Sequence, residues 1–508
     1  MHKWLSGAMR SPLAFALVGL RHATRTRPHA ASSTALEWAS PENRREAASR
    51  KWGFFGEDVV PLWVADGDAL APLPVREAVA EAARAGIYGY VDPSPALLDA
   101  VCAGIGKSWG SAVDASWVRW HPGLIPALYH CARLAGPQGA VVVPTPVYPP
   151  FLNAARDCSQ LIELDLGQAG GPLDEKALRA TLDRAVATAA DGADVVLLWC
   201  NPHNPTGRVW RRHEMETVAK ACAERNAILA SDEVWSGLIL DDVPFTPAGL
   251  LQVDGLRLIS ITSASKTYNV AGLDVAFAVV PDDALRRRYF KVGRDQAEPT
   301  HAGLAALAAI LDATGGSPCV LTPPNGACDG WRRAMVEHLR ANRDAAIAFI
   351  ERECGDLVTV AAPAESTYLL WLDARKLGAS PGLFLSQRGV YLTDGAAFGA
   401  RGYVRLNFCC SRETLDVGLG RIGAACAEAM SNVVNYFFTH PPMASRGRGA
   451  PLALLSGRTQ FSLREDARFR TRAARSVPSP RASSRPRGDC RAWQRRLCID
   501  PMRQSTSS

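Results

Sequence analysis

The sequence predicts an α/β protein, with a three-layer α/β/α large domain on a mainly parallel sheet and a smaller α+β C-terminal domain. Three observations carry that reading. Short apolar runs alternate with Ala-rich amphipathic segments between residues 139 and 266, as a parallel sheet covered on both faces requires. Most of those runs end in polar or glycine-rich chemistry, where sheets of this class gather their function. A later stretch, 367–422, mixes strand and helix patterns again after a long helical segment.

Taken in order, the strand-like runs are "GAVVVPTPVY" (139–148), "ADVVLLWCNP" (193–202), "NAILASDEVW" (226–235) and "LRLISITSASK" (256–266). "RRHEMETVAKACAERN" (211–226) is an intervening amphipathic helix, and "GWRRAMVEHLRANRDAAIAFIERE" (330–353) a long one. The organisation that follows has five parts. Residues 1–36 are a transit peptide or an N-terminus without fixed structure, and 37–80 contribute to the small domain. Residues 81–315 form the large domain and 316–431 the small one, and 432–508 are a disordered tail rich in Arg, Ser and Pro.

Charge is unevenly divided over the 508 residues. The net +7 separates into +5 for 1–36, −9 for 37–431 and +11 for 432–508. The main domain therefore has no electrostatic footprint for nucleic acid. Apolar content of 47% and charged content of 21% exclude wholesale disorder. Apolar stretches break within about 10 residues, half the ~20 that a bilayer requires. The thirteen cysteines show no metal-ligand rhythm, so we expect no metal and a reducing intracellular compartment. That compartment is cytoplasmic, or a mitochondrion or plastid if 1–36 is a transit peptide, since arginines continue past the apolar patch "LAFALVGL".

Three strand exits carry chemistry. "CNPHNPTGRVW" presents Asn204 between prolines that fix the loop. "SDEVW" puts Asp232 at the end of an apolar strand, costly unless something positive meets it. "SITSASKTYNVAGL" puts Lys266 among small hydroxylated residues. Pyridoxal 5′-phosphate needs an amine for a Schiff base, an acid on its pyridine nitrogen and a hydrogen bond to its ring oxygen. Lys266, Asp232 and Asn204 answer those needs in turn. A structural Asp232–Lys266 ion pair is the competing account, and it leaves Asn204 unexplained.

These motifs, with "YGYVDP", "HPGLIPAL", "PTPVYPPF", "TYLLWLD" and "YVRLNF", resemble the fold-type I pyridoxal-phosphate enzymes of the aspartate aminotransferase superfamily. The match is nearest to the cystathionine β-lyase-like C–S lyases and runs from residue 61 to about 422. The resemblance implies that Lys266 is the Schiff-base lysine and the base for the Cα proton, with Asp232 and Asn204 on the ring. It implies that Tyr148 stacks on the pyridine, and that Ser263 with the N–H groups of Leu124 and Ile125 holds the phosphate. Tyr90 would reach the phosphate of a neighbouring subunit, making a homodimer. Arg405 would clamp the carboxylate of a small amino-acid substrate. The competing assignments are a core ring for Tyr148, a helix cap for Ser263 and a surface ion pair for Arg405. His203 and His301 are read as solvated loop residues.

The sequence departs from the group at Gly67, Ala69 and Trp235, and at Asp274 it departs from the aminotransferases but not from the lyases, which favours the lyase branch. "ADGDA" puts Gly67 and Ala69 where two large apolar residues are usual, which implies a wider pocket. Trp235 replaces a frequent histidine, and Asp274 stands where aminotransferases commonly bind phosphate with an arginine. The resemblance implies a C–S β-lyase acting on cystathionine or cysteine S-conjugates, with an aminotransferase as runner-up. A catalytically idle binding homologue is the third reading.

Overall fold

A computed structural model describes residues 36–311, 328–362 and 364–439. Its strands are β1 (Val60–Pro61), β2 (Val118–His121), β3 (Ala140–Thr145), β4 (Gln160–Asp165), β5 (Val195–Cys200), β6 (Ile228–Asp232) and β7 (Arg257–Thr262). They continue as β8 (Ala276–Val279), β9 (Thr359–Ala362), β10 (Leu369–Asp373), β11 (Val390–Tyr391), β12 (Thr393–Asp394) and β13 (Tyr403–Asn407). The helices begin with α1 (Pro41–Glu46), α2 (Arg50–Gly53), α3 (Leu73–Arg84), α4 (Pro95–Trp109), α5 (Leu124–Ala135), α6 (Pro149–Cys158) and α7 (Glu175–Thr188). After them come α8 (Arg212–Ala223), α9 (Asp283–Val292), α10 (His301–Leu311), α11 (Asp329–Glu353), α12 (Pro381–Ser386) and α13 (Arg412–Thr439).

The four apolar runs become β3, β5, β6 and β7, neighbours in a seven-stranded sheet of order β2-β8-β7-β6-β5-β3-β4. Only β8 runs against the others. Alternate residues of each strand feed opposite cores, because successive side chains leave opposite faces of a strand. Val143, Leu198, Ala230 and Ile261 meet α5, α6 and α9 through Leu128, Phe151 and Tyr289. Val142, Leu197, Trp199 and Leu229 join the other core, which contains Leu182 of α7, Met215 of α8 and Leu307 of α10. Each buried Val, Leu, Ile, Phe or Met among them contributes roughly 1.5–3 kcal/mol relative to exposure. Both faces are covered, which is the three-layer α/β/α arrangement expected.

Register sets where the chemistry falls. Cys200 pairs with Asp232, and Asp232 with Ile261, so β5, β6 and β7 end level at one edge. The loops leaving that edge carry Asn204 and Lys266. A second, antiparallel sheet of order β12-β13-β10-β9 places Arg405 opposite Trp371 and Thr393. The short β1 pairs with β11 and feeds the 62–69 segment along the end of β13, where the Asn407 N–H donates to Leu62 O at 2.9 Å.

Two boundaries differ from the sequence reading. Helix α3 crosses the 80/81 division, and its Val75 shares a core with Leu304 of α10. Helix α13 continues to Thr439, into the segment read as tail, because neither proline nor glycine occurs between Gly423 and Pro441. The expectations for residues 1–35 and 440–508 lie outside the described residues. Among the described residues no helix is long and apolar enough to cross a membrane, and no group of three or more His, Cys, Asp and Glu could hold a metal ion.

Candidate active site

Asp232 closes β6 with 2% of its surface exposed. Burial pushes its pKa up to about 7, opposed by the Val234 N–H on Oδ1 at 3.1 Å and by the charge of Lys266. Lys266 lies in the turn after β7, its Nζ donating to Ala65 O at 2.9 Å and standing 5.9 Å from the centre of the Trp235 ring. Burial lowers its pKa and Arg405 lowers it further, against the raising charges of Asp66 and Asp232. The amine therefore ends on a backbone carbonyl, not on a carboxylate, and Asp232 and Lys266 are not a hydrogen-bonded ion pair.

Asn204 follows β5 in a turn that needs Gly207. There φ is +70°, and a Cβ would stand 2.8 Å from Ala364 Cα. Asn204 Oδ1 accepts from Arg405 Nη1 at 2.9 Å, and its carbonyl accepts from the Tyr148 N–H at 3.1 Å. Arg405 is 3% exposed, places Nη2 3.1 Å from Trp63 O, and lies 4.8 Å over the Phe398 ring. Burial lowers its pKa to about 10, and its Nε is buried without a partner among the described residues. A surface ion pair is excluded. His203, expected in solvent, is buried; its Nδ1 lies 2.8 Å from Thr206 Oγ1, and burial lowers its pKa to about 3, leaving it neutral.

The remaining predicted residues divide. Tyr148 is half-buried at the head of α6, near enough to Arg405 and Asp232 to feel both charges. Leu124 and Ile125 open α5, where the first N–H groups have no acceptor within the helix. Ser263 does not present a free hydroxyl. Its Oγ donates to Val275 O at 2.7 Å and accepts the Ser265 N–H at 3.1 Å, so the turn has already used its hydrogen. Tyr90 is fully exposed and does not enter the site of its own chain.

Sequence reasoning missed the cover of the site, residues 63–69. Ala65 O receives both Lys266 Nζ and Tyr368 Oη, the latter at 3.1 Å. Asn407 Nδ2 bonds Val64 O and Asp66 O at 2.6 and 2.8 Å, and Asn269 Nδ2 bonds Gly67 O and Ala69 O at 3.1 and 2.6 Å. Asp68 is anchored from below by Lys51 Nζ at 2.7 Å and Trp52 Nε1 at 2.9 Å. Gly67 does not widen a pocket, because a Cβ there would stand 2.7 Å from Cys409 Sγ and 3.0 Å from Asn269 Oδ1. The space beside it is already filled. Asn269, Tyr368 and Asn407 sat inside the quoted motifs, and their amides and hydroxyl were the available signal.

A sequence profile for aminotransferase class I and II matches residues 64–422, the span that holds Ala65, Asn204, Asp232, Lys266 and Arg405. The chain belongs to the class I and II aminotransferase family. Within this family it is 32% identical over 401 residues to PatB, a cystathionine β-lyase of Bacillus subtilis strain 168, covering 76% of this chain and 98% of that one. The solved structure of OvoB matches with a TM-score of 0.66 at 30% identity, over 75% of this chain and 97% of the other. A pyridoxal-phosphate-bound structure from Clostridium difficile 630, provisionally named an aminotransferase, matches with a TM-score of 0.67 at 26% identity, over 77% and 98%. The aminotransferase-family site has the donor set such a cofactor requires. It holds an amine free of carboxylate hydrogen bonds, a carboxyl whose pKa burial raises to about 7 and a helix N-terminus with free N–H groups, beside a guanidinium nitrogen left without a partner among the described residues.

Proposed function

We propose that the chain is a pyridoxal-phosphate-dependent C–S β-lyase, cleaving cystathionine or cysteine S-conjugates to a thiol, pyruvate and ammonia. The observation that carries this is the convergence of Lys266 and Arg405 on one backbone segment. Nζ bonds Ala65 O at 2.9 Å and Nη2 bonds Trp63 O at 3.1 Å, and neither cation bonds a carboxylate. A free amino acid supplies the missing carboxylate to Arg405 and brings its Cα to the amine. The likeness to a cystathionine β-lyase supports the lyase branch over its neighbours.

Pyridoxal phosphate, when bound, supplies an electron sink for the carbanion at Cα. The chain supplies the rest. Lys266 takes the Cα proton on Nζ, and its lowered pKa increases the neutral fraction available to do so. Arg405 fixes the substrate carboxylate with a planar fork that a lysine lacks. Asp232 would hold the ring nitrogen, Asn204 the ring oxygen and Tyr148 the ring face, while Leu124 and Ile125 would offer N–H groups to the phosphate. The 63–69 segment, pinned by Asn269 and Asn407, holds Ala65 O against the amine and fixes its direction. The full exposure of Tyr90 supports a homodimer in which that ring serves the second copy.

Transamination is the second reading, favoured by the likeness to the structure provisionally named an aminotransferase. The test is incubation with L-cystathionine without added keto acid, following pyruvate. Pyruvate release is the expected result. Turnover that requires a keto acid replaces the lyase with the aminotransferase. No turnover of either kind, with no cofactor uptake, leaves the idle binding homologue.

A further inference from the structure

Asp274 lies eight residues after Lys266, just past a short 3-10 turn over Ala271–Leu273. Its backbone is left-handed, with φ +50° and ψ 62°, a region that non-glycine residues other than Asn and Asp seldom adopt. The turn is fixed from two sides. The Leu273 N–H donates to Val270 O at 3.0 Å, and Thr300 Oγ1 donates to Leu273 O. That placement points the carboxylate at the start of α5, where Oδ1 lies 3.6 Å from the position a Cβ on Gly123 would take. Gly123, with φ +104°, is the residue immediately before the N–H groups of Leu124 and Ile125. No hydrogen bond or ion pair of the Asp274 side chain occurs among the described residues.

A helix N-terminus carries the equivalent of about half a positive charge and attracts anions. A fixed carboxylate at its mouth does the reverse, by Coulomb repulsion that water and salt weaken without abolishing. Ser263 cannot offset it, because its hydroxyl hydrogen is engaged with Val275 O. We propose that Asp274 sets the affinity of this cradle for the phosphate of the cofactor. It opposes the phosphate charge, so the chain holds the phosphorylated cofactor more loosely than the α5 N–H groups alone would, and exchanges it more readily. This inference rests on the pyridoxal-phosphate reading above.

The test uses the full chain freed of cofactor, titrated with pyridoxal phosphate and, separately, with pyridoxal, which lacks the phosphate. Wild type is compared with Asp274→Asn, since asparagine tolerates the same left-handed backbone. Asp274→Gly is a second variant with the charge removed and the backbone unstrained. Both variants are expected to lower the Kd for pyridoxal phosphate by about three- to tenfold, a screened single-charge effect, and to leave the Kd for pyridoxal unchanged. The gain should shrink in high salt. Equal shifts for the two ligands, or no shift for either, overturn the inference while leaving the cofactor assignment intact. A wild-type chain that binds neither ligand removes both.

Discussion

Arg405 and Asn204 are joined side chain to side chain, Nη1 to Oδ1 at 2.9 Å, across 201 positions of sequence. The bond ties the second sheet to the loop leaving β5, and it couples two residues assigned to different ligands. Asn204→Asp puts a carboxylate against the guanidinium and supplies internally what the substrate should bring. It is expected to raise KM for the amino acid at least tenfold, with a smaller change in kcat, read from steady-state kinetics. Arg405→Lys keeps the charge and loses the fork, and kcat/KM is expected to fall roughly a hundredfold. Equal KM values for Asn204→Asp and wild type would detach Arg405 from substrate binding.

Ala65 O is shared by Lys266 Nζ and Tyr368 Oη at 2.9 and 3.1 Å. Removing the phenol leaves that carbonyl wholly to the amine and favours its charged form. Tyr368→Phe is therefore expected to move the acidic limb, where activity rises as Lys266 loses its proton, to higher pH and to lower kcat/KM severalfold near neutrality. The pH profile separates this from simple loss of packing, which lowers activity without moving the limb. Lys266→Ala is expected to abolish turnover and the visible absorbance that lysine-bound cofactor gives.

Burial holds the Asp232 carboxyl at about 7, above the ordinary carboxylate value of ~3.9. A raised folded-state pKa means that the group's contribution to stability is complete below about pH 4 and is lost as pH rises through about 7. Glu233, also pushed up to about 7 by burial, acts in the same sense. His121 and His203, lowered to about 3 by burial, act oppositely in the acid range. Comparing variants isolates Asp232. In cofactor-free protein, Asp232→Asn is expected to gain a few degrees of Tm over wild type near pH 8 and less near pH 5. A pH-independent difference would mean that Asp232 does not titrate in this window.

The strands and the strand-exit placement of Asn204, Asp232 and Lys266 were legible because their signals are local. An apolar run ending in Asp232, or in the turn that presents Lys266, needs no knowledge of the rest of the chain. The cover over the site was illegible for the opposite reason. Residues 63–69 act through backbone carbonyls, which leave no mark in a sequence, and their amide partners Asn269 and Asn407 lie about two and three hundred residues away. Ser263 misled because a hydroxyl near the lysine looks available until Val275 O takes its hydrogen. The width predicted from Gly67 failed similarly, since the neighbour that fills it, Cys409, is distant in sequence.

That last contact gives a two-residue test of how the cover controls the site. A Cβ on Gly67 would stand 2.7 Å from Cys409 Sγ, closer than side chains tolerate, and 3.0 Å from Asn269 Oδ1. Cys409 is buried and Asn269 holds the other side, so Gly67→Ala is expected to displace the segment that carries Ala65 O, the acceptor of Lys266. Overpacking of this kind costs roughly 1–3 kcal/mol, so a fall in Tm is expected together with a tenfold or greater loss of kcat/KM. Cys409→Gly removes the sulfur that Gly67→Ala strikes. The double variant should recover most of the activity while remaining less stable, because it leaves a small void. Recovery of activity without additivity in the double-mutant cycle locates the coupling in this contact. Strict additivity would mean that the cover yields around Gly67 and that Ala65 O keeps its place over Lys266.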